Sequence, residues 1–219
     1  MVAGSVAVQV VLGILLALFF NQRLRGAWIV RGAIVFPMIL TPVVVGLMWR
    51  ALLNPEWGLV DTLLRSLHLP TPNWFGDPGT AIWSLIMVDS WQWTPFVFVI
   101  IFARLQALPT DVFEAAEVDG AGRLQRLQHI VLPLLAPAIA FAAIFRGIDA
   151  FRDFALVFGL TYGGPGYSTT TLSFYTFQNG FEFAQYGYAS ALAYVMLVIL
   201  VVATTVLFRF VSLRRREVM

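Results

Sequence analysis

The sequence predicts an all-α, polytopic membrane protein: a bundle of helices crossing a bilayer. Three observations carry that expectation. Hydrophobic residues make up 59% of the 219 residues and charged ones only 12%, about half the ~25% of a soluble domain. Apolar runs close to the ~20 residues needed to cross a bilayer recur along the chain. The arginines gather beside those runs rather than forming one basic patch, the pattern of membrane topology rather than of nucleic-acid binding.

The first run covers 6–20 and starts without a basic n-region or a cleavage site, so it reads as a retained span rather than a signal peptide. The second covers 28–53, with Pro37 and Pro42 inside it as expected kinks. A loop rich in Pro, Asn and Trp follows over 54–79. The third run, 80–103, is expected to be interrupted at Asp89-Ser90-Trp91-Gln92-Trp93-Thr94-Pro95. Next comes a long polar segment, 111–133. The fourth run, 134–159, carries Arg146, Asp149, Arg152 and Asp153. A polar and aromatic loop over 161–188 opens with Gly163-Gly164-Pro165-Gly166, which reads as a tight turn. The fifth run covers 189–211. No repeat or low-complexity tract appears, so one membrane domain spans 1–219. Gly13, Ala17, Ala33 and Gly46 offer small surfaces for close helix packing.

Orientation follows from arginine counting. In a five-span arrangement Arg23, Arg25, Arg31, Arg104, Arg123, Arg126, Arg209 and Arg214–Arg216 share one side, while Arg50 and Arg65 fall on the other. The positive-inside rule puts the first side in the cytoplasm and both aromatic loops outside.

Composition also excludes chemistry. There is no cysteine, hence no disulfide framework, thiolate metal site or cysteine nucleophile. All basic residues are Arg, so the lysine of a nucleotide-binding P-loop is missing. His68 and His129 stand too far apart for a two-histidine zinc motif. No catalytic or metal-ligating constellation emerges, and no cofactor is expected on this chain.

The polar segment, DVFEAAEVDGAGRLQRLQHIVLP, reads as two short amphipathic helices. The first begins at Asp111, an N-cap with Glu114 completing a capping box. Val112, Ala115 and Ala116 form its small-residue face. Gly120 and Gly122 end it and allow a sharp turn. The second puts Leu124, Leu127 and Val131 on one face, and Pro133 opens the next long helix. Glu114-Ala115-Ala116, then Gly120, then Ile130-Val131-Leu132-Pro133 resembles the EAA loop of permease subunits in binding-protein-dependent ABC importers of bacteria.

Asn54-Pro55-Glu56-Trp57-Gly58-Leu59, Trp91-Gln92-Trp93-Thr94-Pro95 and the Gly163–Gly166 turn are similar to the sugar-permease branch, of the maltose-type large-subunit kind. The resemblance implies the type I importer permease fold in the inner membrane, with one more family span ahead of the first one seen here. It implies a carbohydrate substrate and three kinds of partner: a dimer of ATPase subunits carrying ATP-Mg, a second permease, and a periplasmic or lipid-anchored solute-binding protein. Within the cytoplasmic loop 105–133, it gives Glu114, Ala115, Ala116, Asp119 and Gly120 to coupling with the ATPase. A non-sugar solute such as glycerol phosphate fits the same architecture. An ion-coupled secondary transporter fits less well, because such folds usually show internal repeats.

Residue by residue, two readings stand side by side. Glu114 is an ionic anchor to the ATPase or a cap for its own helix. Trp91 and Trp93 line a sugar path or belong to an interfacial aromatic belt. The Gly163–Gly166 turn lies, by resemblance, near the binding-protein dock, or it is a plain connector. Arg146, Asp149 and Asp153 are spaced to share a helix face. A charge in mid-bilayer costs about 2.5–3.5 kcal/mol on insertion scales, so that face turns away from lipid. Either these charges neutralise one another to hold the bundle, or, with Asp89, they line the substrate path.

Overall fold

The computed structural model describes residues 1–21 and 27–216. Arg23 and Arg25, and the side chain of Ala115, lie outside the described residues. Its helices in chain order are α1 (Val2–Phe20), α2 (Ala27–Ile39), α3 (Pro42–Leu52), α4 (Leu59–Ser66), α5 (Pro78–Gln106), α6 (Thr110–Val118), α7 (Arg123–Arg126), α8 (Leu132–Phe151), α9 (Ala155–Leu160), α10 (Leu172–Phe177) and α11 (Tyr186–Arg216). A π-helical turn, Leu127–Val131, joins α7 to α8, and another, Gln178–Glu182, follows α10. Among the described residues four helices are long and apolar enough to cross a bilayer, and the bent α2/α3 pair is a fifth candidate. The all-α membrane bundle expected from the sequence is therefore present.

α5 is the central post. α1 lies along it, α8 packs on both, and α2 leans on α5. α1 and α5 approach closely at Gly13, where a Cβ would stand 2.7 Å from Val97 Cγ1 and 3.1 Å from the Phe98 amide nitrogen. Ala17 and Gly46 are likewise buried in helix contacts, but Ala33 is exposed. Two apolar cores result. One gathers Ala17, Phe20, Val97, Phe98, Ile101, Leu135 and Ala142 toward the α6/α7 end. The other gathers Val45, Leu85, Val88, Leu156, Val157, Leu160 and Phe174 toward the opposite end.

Four details depart from the sequence expectation. The second span is broken, not kinked: α2 and α3 diverge by 101°. Pro42 sits at the first turn of α3 and holds Thr41 extended (φ −63°, ψ 131°), since the residue before proline is pushed out of the helical region. Pro37, by contrast, rides inside α2. The third span is not interrupted at 89–95; α5 runs unbroken through Pro95. The proline removes one hydrogen bond, and its ring is buried in a helix packed by α1 and α8.

The fourth span does break. α8 stops at Phe151, and α9 starts anew after Arg152-Asp153-Phe154, where the Asp153 carboxylate accepts the Leu156 amide at 3.1 Å. Finally, the second helix of the polar segment is not separate. α7 runs through the π turn into α8, giving one helical rod, Arg123–Phe151. The π turn immediately precedes Pro133, where the ladder must absorb a missing N–H and a ring clash.

Carbonyls freed at the two breaks are held by side chains. The Gln92 amide donates to Leu40 O at 2.9 Å. Ser173 Oγ donates to Arg152 O and Thr171 Oγ1 to Asp153 O, both at 3.0 Å. Irregular backbone at membrane depth demands such partners, because lipid offers none. α3 and α9 cross backbone to backbone: a Cβ on Gly159 would lie 2.7 Å from Val43 O, and one on Gly46 3.0 Å from the Gly159 backbone.

Candidate functional site

Between the two apolar cores lies a layer of buried polar side chains. Gln9 from α1 and Asp89 from α5 are fully buried, and Arg146 from α8 is 1% exposed. The Gln9 amide donates from Nε2 to Asp89 Oδ2 at 2.8 Å and to the Asp89 carbonyl at 3.3 Å. Arg146 donates from Nε to Gln9 Oε1 at 2.9 Å, from Nη2 to Asp89 Oδ1 at 3.0 Å, and from Nη1 to Asp149 Oδ2. Its guanidinium also lies over the Trp93 ring, 4.7 Å from the centroid. A buried cation costs several kcal/mol unless paired and hydrogen-bonded; here it bridges two carboxylates and an amide.

A cleft of about 240 Å³ opens beside this layer. Its lining includes Asp89, Trp93, Arg146, Asp149 and Asp153, together with Arg152. The start of α3 at Pro42 and the start of α9 at Ala155 also border it, so both broken spans break at the cleft. Of the sequence-derived path candidates, Asp89, Trp93, Arg146, Asp149 and Asp153 thus come together. Trp91 is not among the lining residues; it packs edge-on against Trp49 with ring centroids 5.5 Å apart. Asp153 lies beyond the end of α8, so it reaches the cleft through the break rather than along a helical stripe. Gln9 was not singled out from sequence. Its signal was present: a lone amide in the run VAVQVVLGILL.

The polar segment forms the other site. α6 begins at Thr110, which puts Asp111 inside its first turn rather than at the cap. The helix closes on Gly120 (φ +71°). There the Gly120 amide donates to Glu117 O at 3.1 Å and the Ala121 amide to Ala116 O at 2.9 Å, the paired bonds of a Schellman motif. Gln125 Oε1 then accepts the Gly122 amide at 2.8 Å to start α7. Arg126 and Glu117, 3.5 Å apart, tie the two arms together. Ala116 is buried, while Glu114, Asp119 and Gly120 are exposed. This segment lies at the end where Arg31 donates to Phe20 O at 2.8 Å and Arg104 to Leu134 O at 3.4 Å.

The loops at the opposite end are internally braced. Asn54 Oδ1 accepts the amides of Glu56 and Trp57, and buried Asp61 accepts Trp74 Nε1 at 2.6 Å. The Gly163–Gly166 turn has φ of +81° at Gly163 and +57° at Gly166. Thr169 Oγ1 donates to Gly164 O at 2.7 Å there. Tyr162 donates its hydroxyl to Glu182, a bond that holds the phenol above its ordinary titration range. No group of three or more potential metal ligands is found among the described residues.

Comparison with known proteins gives the family and the fold. The family described as "Binding-protein-dependent transport system inner membrane component" matches residues 9–217. The trehalose/maltose transport system permease protein MalF of Thermococcus litoralis is 36% identical over 97% of this chain and 72% of its own length. The sulfoquinovosyl glycerol transport system permease protein SmoG of Agrobacterium fabrum is 38% identical over 91% of this chain and 65% of its own. The sn-glycerol-3-phosphate transport system permease protein UgpA of Yersinia enterocolitica is 31% identical over 99% of this chain and 72% of its own. A solved bacterial alginate ABC transporter, in complex with its alginate pentasaccharide-bound periplasmic protein, superposes with a TM-score of 0.76 at 22% identity, covering 94% of this chain and 75% of that one. That likeness establishes the fold.

Proposed function

Because the chain belongs to the family of binding-protein-dependent transport system inner membrane components, we propose that it supplies half of the translocation path of an ABC importer for a carbohydrate. A second permease subunit completes the path. Paired ATPase subunits hold and hydrolyse ATP-Mg, and a solute-binding protein delivers substrate from outside. The α6/α7 segment and the C-terminus face the cytoplasm, in line with the arginine bias. Glu114, Ala115, Ala116, Asp119 and Gly120 belong to the surface that meets the ATPase. The cleft residues Asp89, Trp93, Arg146, Asp149 and Asp153 belong to the path; Trp91 packs against Trp49 instead.

One observation carries this reading. The rod Arg123–Phe151 begins in the exposed loop and ends with Arg146 and Asp149 at the cleft. At 1.5 Å per residue it is about 43 Å long, so a push on α7 reaches the charge layer along one continuous helical segment. ATP-driven alternating access needs such a link between motor and gate. Carbohydrate as the substrate class is supported by the sugar systems among the relatives and by the mix of hydroxyl acceptors and tryptophan at the cleft.

The test is uptake by proteoliposomes containing the assembled complex. Solute accumulation should require internal ATP and external binding protein, with no ion gradient present. Accumulation driven by a proton or sodium gradient without ATP would establish the secondary-transporter alternative instead.

A further inference from the structure

We infer that the cleft is built for an uncharged polyhydroxylated solute and discriminates against anions, with Asp149 and Asp153 as its acceptors and Arg146 as a positioning residue, not an anion receptor. The inference rests on the importer reading and narrows its substrate class.

An anionic solute needs an accessible cation. Arg146, at the cleft, is 1% exposed, and each of its three nitrogens already donates, to Gln9, Asp89 and Asp149. Its planar face lies on Trp93. Buried as it is, Arg146 would have to turn out of the layer and away from Asp89 to grip a phosphate or a uronate with its fork, and a fully buried carboxylate left without its cation is strongly destabilising. Of the cleft's two arginines that leaves Arg152 as the accessible cation; it is exposed, also lines a separate groove against α11, and shares the cleft with three carboxylates.

The carboxylates divide differently. Both oxygens of Asp89 are engaged, by Arg146 and Gln9. Asp149 gives one oxygen to Arg146 yet its side chain stays 46% exposed. Asp153 gives one oxygen to the Leu156 amide. Three carboxylates face two guanidiniums across the cleft, so an incoming anion meets net negative charge in a low-dielectric wall. Such like-charge opposition is an ordinary way to reject the wrong solute. A sugar hydroxyl instead donates to Asp149 or Asp153 in a charge-assisted bond. The volume, about 240 Å³, is below the ~300–1,000 Å³ of an enclosed ligand pocket, which suits one wall of a path completed by a partner.

The experiment compares ATP-driven uptake of maltose and trehalose with that of sn-glycerol 3-phosphate, using the complete complex in proteoliposomes. The wild-type complex should favour a neutral disaccharide by about tenfold or more, a discrimination one well-placed polar contact can supply. Asp149→Asn combined with Asp153→Asn should narrow that ratio. Asp149→Glu, which keeps the charge, should retain it. The inference is overturned if the phosphate is taken up as readily as the disaccharides, or if the double variant leaves the ratio unchanged while transport persists. ATP-driven phosphate uptake sinks the substrate class and leaves the importer reading standing. A complex that accumulates none of these solutes, with ATP hydrolysis indifferent to all of them, sinks both.

Discussion

Gln9 and Arg146 stand 137 residues apart and meet at 2.9 Å in the buried centre of the bundle. The amide is a two-way connector. Its oxygen accepts from the guanidinium, while its nitrogen donates to Asp89, the residue Arg146 also grips. A triangle is thereby closed among α1, α5 and α8. On each helix the polar member falls between the two apolar cores, so the layer fixes the relative height of three spans, which uniform hydrophobic packing leaves loosely specified.

Gln9→Leu tests that role. The apolar replacement leaves Arg146 Nε and one Asp89 oxygen without partners in a site that excludes water. Each stranded group costs about 1–3 kcal/mol. The variant should insert into the membrane, since leucine only raises the apolarity of α1, but it should unfold at a lower temperature in detergent. Unchanged thermal stability would mean that the Arg146–Asp89 pair is self-sufficient.

Much of this was readable in advance. The apolar runs located the spans because their length must match the bilayer, and the Gly120 turn announced itself through a helix-ending glycine. The charges at 146, 149 and 153 signalled a lipid-averse face. Their partners were not readable, because Asp89 and Gln9 are brought to Arg146 only by packing of α1, α5 and α8. The break after Phe151 was hidden for another reason: Phe151-Arg152-Asp153-Phe154 contains no proline or glycine. Its cause is tertiary, since hydroxyls of Thr171 and Ser173 take up the freed carbonyls. Pro95 misled in the opposite direction, a local breaker overridden by burial on a packed helix.

The crossing of α3 and α9 gives a second expectation. Gly159 has no room for a methyl group, whose carbon would lie 2.7 Å from a backbone oxygen on α3. Gly159→Ala must separate the two helices, an overpacking cost of about 1–3 kcal/mol. Gly147→Ala is the internal comparison: it lies within α8, and nothing stands within 4 Å of its Cβ position. That change should be neutral or stabilise by about 0.5–1 kcal/mol. Circular-dichroism melts of the purified subunit should therefore fall for Gly159→Ala and hold or rise for Gly147→Ala, and equal shifts would contradict the close crossing.

Topology can be read by thiol labelling, because the chain has no cysteine of its own. Tyr167 is 76% exposed in the loop after the Gly163–Gly166 turn. At exposed Gly122 a Cβ would meet only the end of Gln125, at 3.6 Å. Both positions thus accept a cysteine without strain. In intact cells an impermeant maleimide should label Tyr167→Cys and spare Gly122→Cys, which should react only after the membrane is opened. The reverse order would invert the orientation drawn from the arginines.

The last expectation concerns force transmission through the loop. Gly120 ends α6 at φ +71°, and a Cβ there would touch nothing within 4 Å, so any penalty for replacing it is conformational rather than steric crowding. A left-handed conformation costs an L-residue roughly 1–2 kcal/mol, more for a β-branched one. In Gly120→Val the two Schellman bonds should open and α6 should lose its fixed angle to α7. The cores, far along the helices, should be untouched. Glu114→Lys acts differently: it keeps the backbone and reverses charge on an exposed position of α6. Both variants should be present in the membrane at wild-type levels with unaltered melting of the bundle. Both should reduce co-purification of the ATPase, or leave its hydrolysis unresponsive to loaded binding protein. Arg126→Gln, which removes only the surface pair with Glu117, should have a much smaller effect, since exposed pairs contribute about 0–1 kcal/mol. If Gly120→Val and Glu114→Lys both transport normally with the ATPase firmly bound, α6 is a connector and the rod Arg123–Phe151 receives its push elsewhere.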